Sequence, residues 1–485
     1  MNVHPCKIIR DAEQQLFAKG VISSDMLMDQ VIDYLWKALQ EEPEFSARKF
    51  KRVIVYAGKG NNAGDAIGLA AKFHCNVLLH SVCEPSEFSP ETRRQYEKLQ
   101  ARTEIHHTPY SPNDSMLVID GLLGSGVNGK LRPEYEEKVQ ELNSFRESHP
   151  NAVVLSIDIP TGLHAGTGEL LGATVKADVT AAIGCVKPGM LVDGAEDYVG
   201  RLLCIPLNKV PLPDALPPCV TDAYNARSTF PRPYSYFKNR AGRVNIVAGS
   251  IGYVGAAQMC AEAALAAGAG LVALYCHADV YPILAARVAP EVMVNPVQSY
   301  AEVPADGAQA LVIGPGLGTP GITEAEALRR LLHTFRGPVV LDADGLNLAA
   351  RYHWSIPSNA ILTPHPGEMR RLFPQSATLS RIETVQQYLA QHPCTLLLKG
   401  ARSIISNGTF TYYNSTGGPY MANGGQGDVL AGAIGALATQ SGALSATVHA
   451  AYACGRAAAF AHAAAGYPPA IRASQVIDHL PRALS

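Results

Sequence analysis

The stretch NGGQGDVLAGAIGAL, Asn423 to Leu437, sets a single carboxylate, Asp428, in a glycine loop that opens an apolar, Ala-rich helix. A loop of little bulk at a helix start exposes backbone N–H groups and the positive end of the helix dipole, which together hold an anion. A carboxylate beside a bound anion is repelled by it. Asp428 therefore either caps the helix or accepts the proton of a group that attacks a bound phosphate. On this stretch alone both readings stand.

In the first half, VIVYAGKGNNAGDAIGLAAKF reads as a strand, a Gly/Asn-rich loop from Gly58 to Gly64, and a helix from Asp65 onward. Ligands of parallel α/β sheets bind beyond the carboxyl ends of strands, and this loop supplies N–H donors suited to a phosphate. A tight turn that needs Gly and Asn for positive φ explains the same residues. MLVIDGLLGSGVNGKLRPEY sets Asp120 at a second strand end before another glycine loop, and VLSIDIPTGL sets Asp158 at a third. One aspartate is commonly a loop cap, whereas three polar strand ends that converge on one crevice argue for a site.

The second half repeats the pattern. KNRAGRVNIVAGSIGYVGAAQMCAEAAL gives a strand, a Gly-rich turn and an Ala-rich helix, and GPGLG, Gly314 to Gly318, ends a further strand. Small residues there let backbone approach either a ligand or a neighbouring helix. LTPHPGEM holds His365 and Glu368 in a proline-stiffened turn, where histidine serves more often as a hydrogen-bonding partner than as a catalyst. LLLKGARS ends a strand with Lys399 and a loop to Ser403, suited to the phosphate or ribose of a nucleotide.

These segments need elements to hold them, and the elements are legible. Short β-branched runs alternate with helical patterns, as in parallel α/β domains. The first half offers VIVYA, MLVID, AVVLSID and VTAAI; the second offers RVNIVAG, LVALYC, ALVIG, PVVLDAD and TLLLKG. IISNGTFTYY reads as a hairpin, since Asn407-Gly408 suits a tight turn. Prolines crowd between Pro206 and Pro233, which reads as a stiff connector. The join is placed near residue 218, giving domains 1–217 and 218–485.

Composition bounds the setting. With 485 residues, 47% hydrophobic and 17% charged, the chain is long enough for two or three full cores. A net charge of −2 leaves no electrostatic footprint for nucleic acid or an anionic membrane. The ten cysteines form no C-x-x-C pair and the start lacks the apolar core of a signal peptide, so reduced thiols in a cytoplasm are expected. The apolar stretches Ala256 to Cys276 and Val448 to Gly466 are interrupted by Glu262 and Arg456 and are expected to be buried helices, with no membrane segment.

GKGNNAGDA, IDGLLGSG and SIDIPTG resemble the motifs of NAD(P)HX epimerases, and the second half resembles ADP-dependent NAD(P)HX dehydratases of ribokinase-like fold. Fused in this order, they resemble the bifunctional NAD(P)H-hydrate repair family over nearly the whole chain. The resemblance implies a Rossmann-like three-layer N-terminal domain, a ribokinase-like α/β C-terminal domain, and restoration of hydrated NADH or NADPH. Epimerisation would feed the S form to dehydration at the expense of ADP, with magnesium. The dinucleotide would be held by Asn61, Asn62, Ala63, Gly64 and Asp65, by Gly124, Ser125, Gly126, Val127, Asn128, Gly129 and Lys130, and by Tyr135. Asn62, Asp120 and Thr161 would ligate one potassium ion, oxygen donors that suit a hard cation, and Asp158 would be the acid/base group. In the second domain Ala256, Gly318 and His365 would contact the hydrated dinucleotide. Lys399, Gly400, Ala401, Arg402, Ser403 and Gly427 would hold the nucleotide, and Asp428 would face the reacting hydroxyl. Homo-oligomers through the second domain are implied in the same way.

The sequence departs from the family pattern in places. Ala63 and Ala66 stand where the family has glycines, and an Ala63 forced to positive φ would carry strain of about 1 kcal/mol. Asn423 and Gln426 stand where small residues are usual, so Gln426 is expected to crowd the phosphate, and Asn239 replaces a glycine before AGR. The rival reading is a ribokinase-like kinase for a small sugar or vitamin alcohol, fused to a non-catalytic dinucleotide-binding module. The GSIGYVGAAQ and LTPHPGEM motifs, and Asp158 in the first domain, favour repair over that rival.

Overall fold

The structure, a computed structural model, describes residues 1–101, 114–213, 218–222, 237–238 and 240–485. It divides into two compact units, Met1–Val220 and Thr221–Ser485. Most of the proline-rich connector, and Asn239, lie outside the described residues.

The first unit is built on strands β1 (Arg52–Ala57), β2 (Asn76–Ser81), β3 (Met116–Gly121), β4 (Ala152–Ile157), β5 (Val179–Ile183) and β6 (Arg201–Ile205), in the order β2-β1-β3-β4-β5-β6. All adjacent pairs are parallel. Every residue of β1, β3, β4 and β5 is buried, as a parallel sheet covered on both faces requires. Helices α1 (Cys6–Ala18), α2 (Ser24–Glu41), α3 (Asn61–Ala70) and α4 (Pro90–Gln100) cover one face, contributing Ile9, Leu35, Ile67 and Leu99 to its core. Helix α5 (Pro133–Ser148) covers the other, with Tyr135, Val139 and Leu142. The strand order reverses between β1 and β3, which opens a crevice at their carboxyl ends.

The second unit has strands β7 (Arg243–Val247), β8 (Leu271–His277), β9 (Val292–Val297), β10 (Ala310–Ile313), β11 (Val339–Leu341), β12 (Ala360–Leu362), β13 (Thr395–Leu398), β14 (Ile404–Ser406) and β15 (Thr411–Tyr413). They run β9-β8-β7-β10-β11-β12-β13-β14-β15, parallel as far as β13 and then antiparallel. The order reverses here between β7 and β10. Helices α6 (Val254–Ala266), α7 (Gln426–Ala438) and α8 (Ala443–Ala464) pack with the sheet in one Ala-rich core. Small residues allow near contact of backbones: a Cβ at Gly432 would overlap the carbonyl oxygen of Cys260 on α6. Each unit is thus α/β, a largely parallel sheet with helices packed against it.

Two expectations about elements are corrected and one is met. The stretch Ala256 to Cys276 is a helix followed by β8, because Gly268 and Gly270 break it and LVALYC is β-branched and aromatic. The expected hairpin is present, β14 pairing antiparallel with β15 through a turn at 407–410 in which Asn407 Oδ1 accepts from the N–H groups of Thr409 (3.1 Å) and Phe410 (2.9 Å). The helix after β1 starts at Asn61, four residues before Asp65, with Gly60 as its extended N-cap. Ala63 is therefore helical, carries no positive φ and stores no strain. No helix among the described residues is long and apolar enough to cross a membrane.

Candidate active sites

In the first unit the carboxyl ends of β1, β3, β4 and β5 deliver the polar groups. The loop after β1 lies against the loop after β3, with the Gly58 N–H donating to Gly121 O at 3.2 Å. A Cβ at Gly58 would overlap the carbonyl oxygen of Leu122 and lie 3.4 Å from the Tyr135 ring, so glycine is required there and Tyr135 borders the same crevice. Asp120 is wholly buried and accepts from the Thr161 hydroxyl (2.7 Å), the Ser156 hydroxyl (2.8 Å) and the N–H groups of Thr161 (2.9 Å) and Leu122 (3.2 Å). Burial nevertheless pushes its carboxyl above the usual range.

Asp158 follows β4 in a left-handed conformation, φ 69°, rare for a residue with a side chain and typical of sites where surrounding contacts hold the backbone. Its Oδ2 accepts from the Ser125 N–H at 3.0 Å, and its Oδ1 pairs with the ammonium group of Lys187, which also donates to Ile183 O at 3.0 Å. Burial raises its proton affinity, but Lys187 and Ser125 outweigh burial and hold it below the usual range. A Cβ at Gly124 would lie 3.2 Å from Asp158 Oδ2 and 3.5 Å from Asn62 Oδ1, so Asn62 and Asp158 flank the same glycine. The buried Nδ2 of Asn62 and Oδ1 of Asp65 make no hydrogen bond among the described residues, as expected of groups that await a ligand.

Other expected ligand residues are placed differently. Asn61 accepts from the Ser89 hydroxyl at 3.3 Å. Ala63 is buried, and a Cβ at Gly64 would meet Met28 and Thr92, so the faces of these two residues pack against protein and leave only backbone for a ligand. They lie on the inner face of α3 because the helix starts at Asn61. Gly124 and Ser125 border Asp158, whereas Gly126, Asn128, Gly129 and Lys130 are exposed and Val127 packs on the α5 core. Lys187, and Glu13 on α1, whose carboxyl acts electrostatically on Asp65, were not singled out from the sequence. Lys187 lies in GCVKPG just beyond a recognised strand, so the strand-end rule that found Asp158 applied to it as well. Glu13, on an amphipathic helix, carries no local signal.

The oxygen donors suit a monovalent cation. Thr161 Oγ1 lies 2.7 Å from Asp120 Oδ1 and 3.2 Å from Leu123 O, and Asn62 Oδ1 faces Gly124. A positive charge would offset the burial of the Asp120 carboxylate. Among the described residues no group of three or more His, Cys, Asp or Glu side chains is arranged for a metal.

In the second unit Asp428 occupies the first turn of α7, whose N-cap Gly425 is left-handed (φ 93°) and has no side-chain capping bond. No capping box between Asp428 and the N-cap backbone is formed among the described residues. Its carboxyl is pushed up to about 7, by burial first and then by Asp342 and Asp344, against the opposing charge of Lys399. Lys399 donates to Asp342 Oδ1 at 2.6 Å, which also accepts from the Thr363 hydroxyl at 2.7 Å. A Cβ at Gly427 would lie 3.2 Å from Lys399 Nζ and 3.8 Å from Asp342 Oδ2. The ends of β11 and β13 and the start of α7 therefore meet around Gly427. Asp342 was legible only as part of the strand PVVLDAD; its position at the strand end was the available signal.

The remaining residues ring this cluster. The Lys399 N–H donates to Pro364 O at 2.9 Å, next to His365. His365 caps the helix Pro366–Leu372, accepting from the Gly367 N–H at 2.9 Å while Glu368 returns to its backbone, so half of its exposed ring is committed to structure. The Gly318 N–H donates to Asp344 at 2.7 Å, and a Cβ at Gly318 would lie 3.0 Å from Ser250 Oγ, whose hydroxyl donates to Gly316 O. A Cβ at Gly316 would lie 3.0 Å from that of Ala256, which brings the Ala256 and Gly318 loops together. Gly400 borders Arg381, which donates to Arg402 O at 2.6 Å; Gly400 and Ala401 are exposed and Arg402 is buried. The Gln426 amide donates to Asn423 Oδ1 at 3.1 Å, and its buried Oε1 makes no hydrogen bond among the described residues.

Comparisons with known proteins follow the same division. A family model described as YjeF-related protein N-terminus matches residues 24–189, and one described as NAD(P)H-hydrate dehydratase matches 244–482. A bifunctional NAD(P)H-hydrate repair enzyme of Hyperthermus butylicus is 32% identical, over 94% of this chain and 88% of the relative. That of Coxiella burnetii is 32% identical over 89% of each, and that of Leishmania infantum 33% over 80% of this chain and 76% of the relative. Among solved structures, an ADP/ATP-dependent NAD(P)H-hydrate dehydratase from Bacillus subtilis, co-crystallised with ATP/Mg2+, is 27% identical over 55% of this chain and 97% of that one, with a TM-score of 0.49. With whole-length relatives of one kind and a matching model for each unit, this chain belongs to the bifunctional NAD(P)H-hydrate repair enzyme family.

Proposed function

We propose that the chain restores hydrated NADH and NADPH in two steps, with residues 1–217 converting the 6R to the 6S epimer and residues 218–485 dehydrating the 6S epimer at the expense of ADP. The observation that carries the reading is Asp428: a carboxylate in the first turn of α7, beside Lys399, with a proton affinity near neutrality. A general base works best when its pKa lies near the operating pH.

Asp428 accepts the proton of the C6 hydroxyl, and that oxygen attacks the terminal phosphoryl of ADP, releasing AMP. The N–H groups at the start of α7 and the Lys399 ammonium hold the phosphoryl charge. The ring-nitrogen lone pair then expels phosphate from C6, and loss of a proton from C5 restores the dihydropyridine. Coupling to ADP makes the dehydration irreversible. Ala256, Gly318 and His365 border the hydrated dinucleotide, and Lys399 to Ser403 with Gly427 border the nucleotide. Magnesium would offset phosphate charge when bound with ADP.

In the first unit Asp158, kept ionised by Lys187, exchanges a proton with the hydrated ring. Asn62, Asp120 and Thr161 would hold potassium, which would supply fixed positive charge beside the dinucleotide phosphates. Asn61 to Asp65, Gly124 to Lys130 and Tyr135 border that dinucleotide. Self-association through the second domain and a cytoplasmic setting complete the reading, and light scattering of the second half tests the former.

The two halves, cut near residue 218 and expressed separately, test the division of labour. The first should interconvert epimers without nucleotide, and the second should restore NADH from the S epimer alone, releasing AMP and phosphate from ADP. A second half that makes a phosphorylated alcohol from ATP would overturn the reading.

A further inference from the structure

We propose that Asp65 is the acid that works opposite Asp158 in the epimerase site, giving a proton to the ring nitrogen while Asp158 takes one from the C6 hydroxyl. This rests on the assignment of Asp158 made above. C6 of the hydrated ring bears both an oxygen and the ring nitrogen, so inversion requires one of these bonds to break and reform on the other face. Asp158 removes the hydroxyl proton, the freed oxygen pair closes a C=O bond, and the C6–N1 bond breaks. Its electron pair goes to N1, which takes the proton of Asp65. After rotation about C5–C6, N1 attacks the opposite face, returns its proton to Asp65, and the oxygen recovers the other from Asp158. No oxidant or water is consumed.

Such a sequence needs two groups of opposite protonation in one crevice, and the structure supplies them. Asp158 has Lys187 and the Ser125 N–H to hold its charge. Asp65 has neither: its buried Oδ1 makes no hydrogen bond among the described residues. The titratable groups that face it are both acidic, Asp158 at the end of β4 and Glu13 on α1. Burial first, and then these two carboxyls, push Asp65 well above the usual carboxylate range. Glu13 is itself raised by burial and by Asp158, against Lys187 and Arg10. Two like groups whose surroundings drive their proton affinities apart divide into an acid and a base. Asp65 lies one turn along α3 from Asn62, which flanks Gly124 with Asp158, so acid and base border the same space. Glu13 acts through Asp65 as a positioning residue.

The test uses the full chain and follows 6R-to-6S conversion of NADHX on a chiral-resolving column without ADP. Asp65→Asn keeps the shape and removes the proton, so the rate at saturating NADHX should fall by about two to four orders of magnitude. The wild-type rate should decline as pH rises through the ionisation of Asp65, and Glu13→Gln should move that decline to lower pH, because one source of repulsion is gone. Should Asp65→Asn fail to saturate with NADHX, the Glu13→Gln profile decides: an unmoved decline overturns the proposal. An inactive Asp158→Asn beside a fully active Asp65→Asn overturns this inference alone. If both variants keep the wild-type rate, the assignment of Asp158 falls first.

Discussion

Lys187 reaches from beyond β5 to pair with Asp158 beyond β4, and the lysine side chain is 1% exposed, the aspartate 16%. Removing one partner leaves the other charge buried and uncompensated, typically a loss of about 3–5 kcal/mol. Lys187→Met should therefore lower the unfolding midpoint of the first half, and the Lys187→Met, Asp158→Asn double variant should recover part of it. Additive losses in thermal denaturation would show that the pair is not coupled.

The same pair sets a pH dependence. Asp158 is held below its usual range chiefly because the lysine offsets its burial. Without Lys187 burial dominates and the carboxyl moves up. The acid limb of epimerisation in Lys187→Met should then shift to higher pH than in wild type. A limb that stays in place would detach the lysine from the chemistry.

Dehydration should follow Asp428, whose carboxyl titrates at about 7. As a base it acts when ionised, so the rate should climb with pH up to about 7 and level off above it. Asp428→Asn should lose about two to four orders of magnitude of dehydration while added R epimer still converts to S. Normal AMP release by that variant would remove Asp428 from the reaction.

Potassium dependence is expected of epimerisation from the oxygens of Asn62, Asp120 and Thr161. Asp120→Ala should lose the ion and much of the rate. Because it would also strip acceptors from Thr161, Ser156 and Leu122, Asp120→Asn serves as the milder variant. Equal wild-type rates in potassium-free and potassium buffers would sink the assignment.

Much of this arrangement was legible in the sequence because parallel strands announce themselves as short β-branched runs and place chemistry at their carboxyl ends. Asp120, Asp158 and Lys399 follow from that rule. Residues brought in by packing were not legible: Glu13 arrives on a helix distant in sequence, and its proximity to Asp65 exists only after α1 covers the sheet face. Strands β2, β6, β9 and β12 went unseen: β2 carries His80 and Ser81, β6 opens on Arg201, β9 contains Asn295 and Pro296, and β12 has only three residues. The start of α3 was misplaced because Asn and Gly suggest a turn, yet with Gly60 as cap the NNAGD run continues as helix.

The central claim, two linked steps in one chain, is tested most directly by the time course of NADH restored from mixed epimers of NADHX with ADP by Asp158→Asn. A fast phase from the S epimer should be followed by a slow phase limited by spontaneous epimerisation, with one AMP and one phosphate released per NADH. Wild type should complete both in one phase. Restoration of both epimers by Asp158→Asn at the wild-type rate would contradict the account.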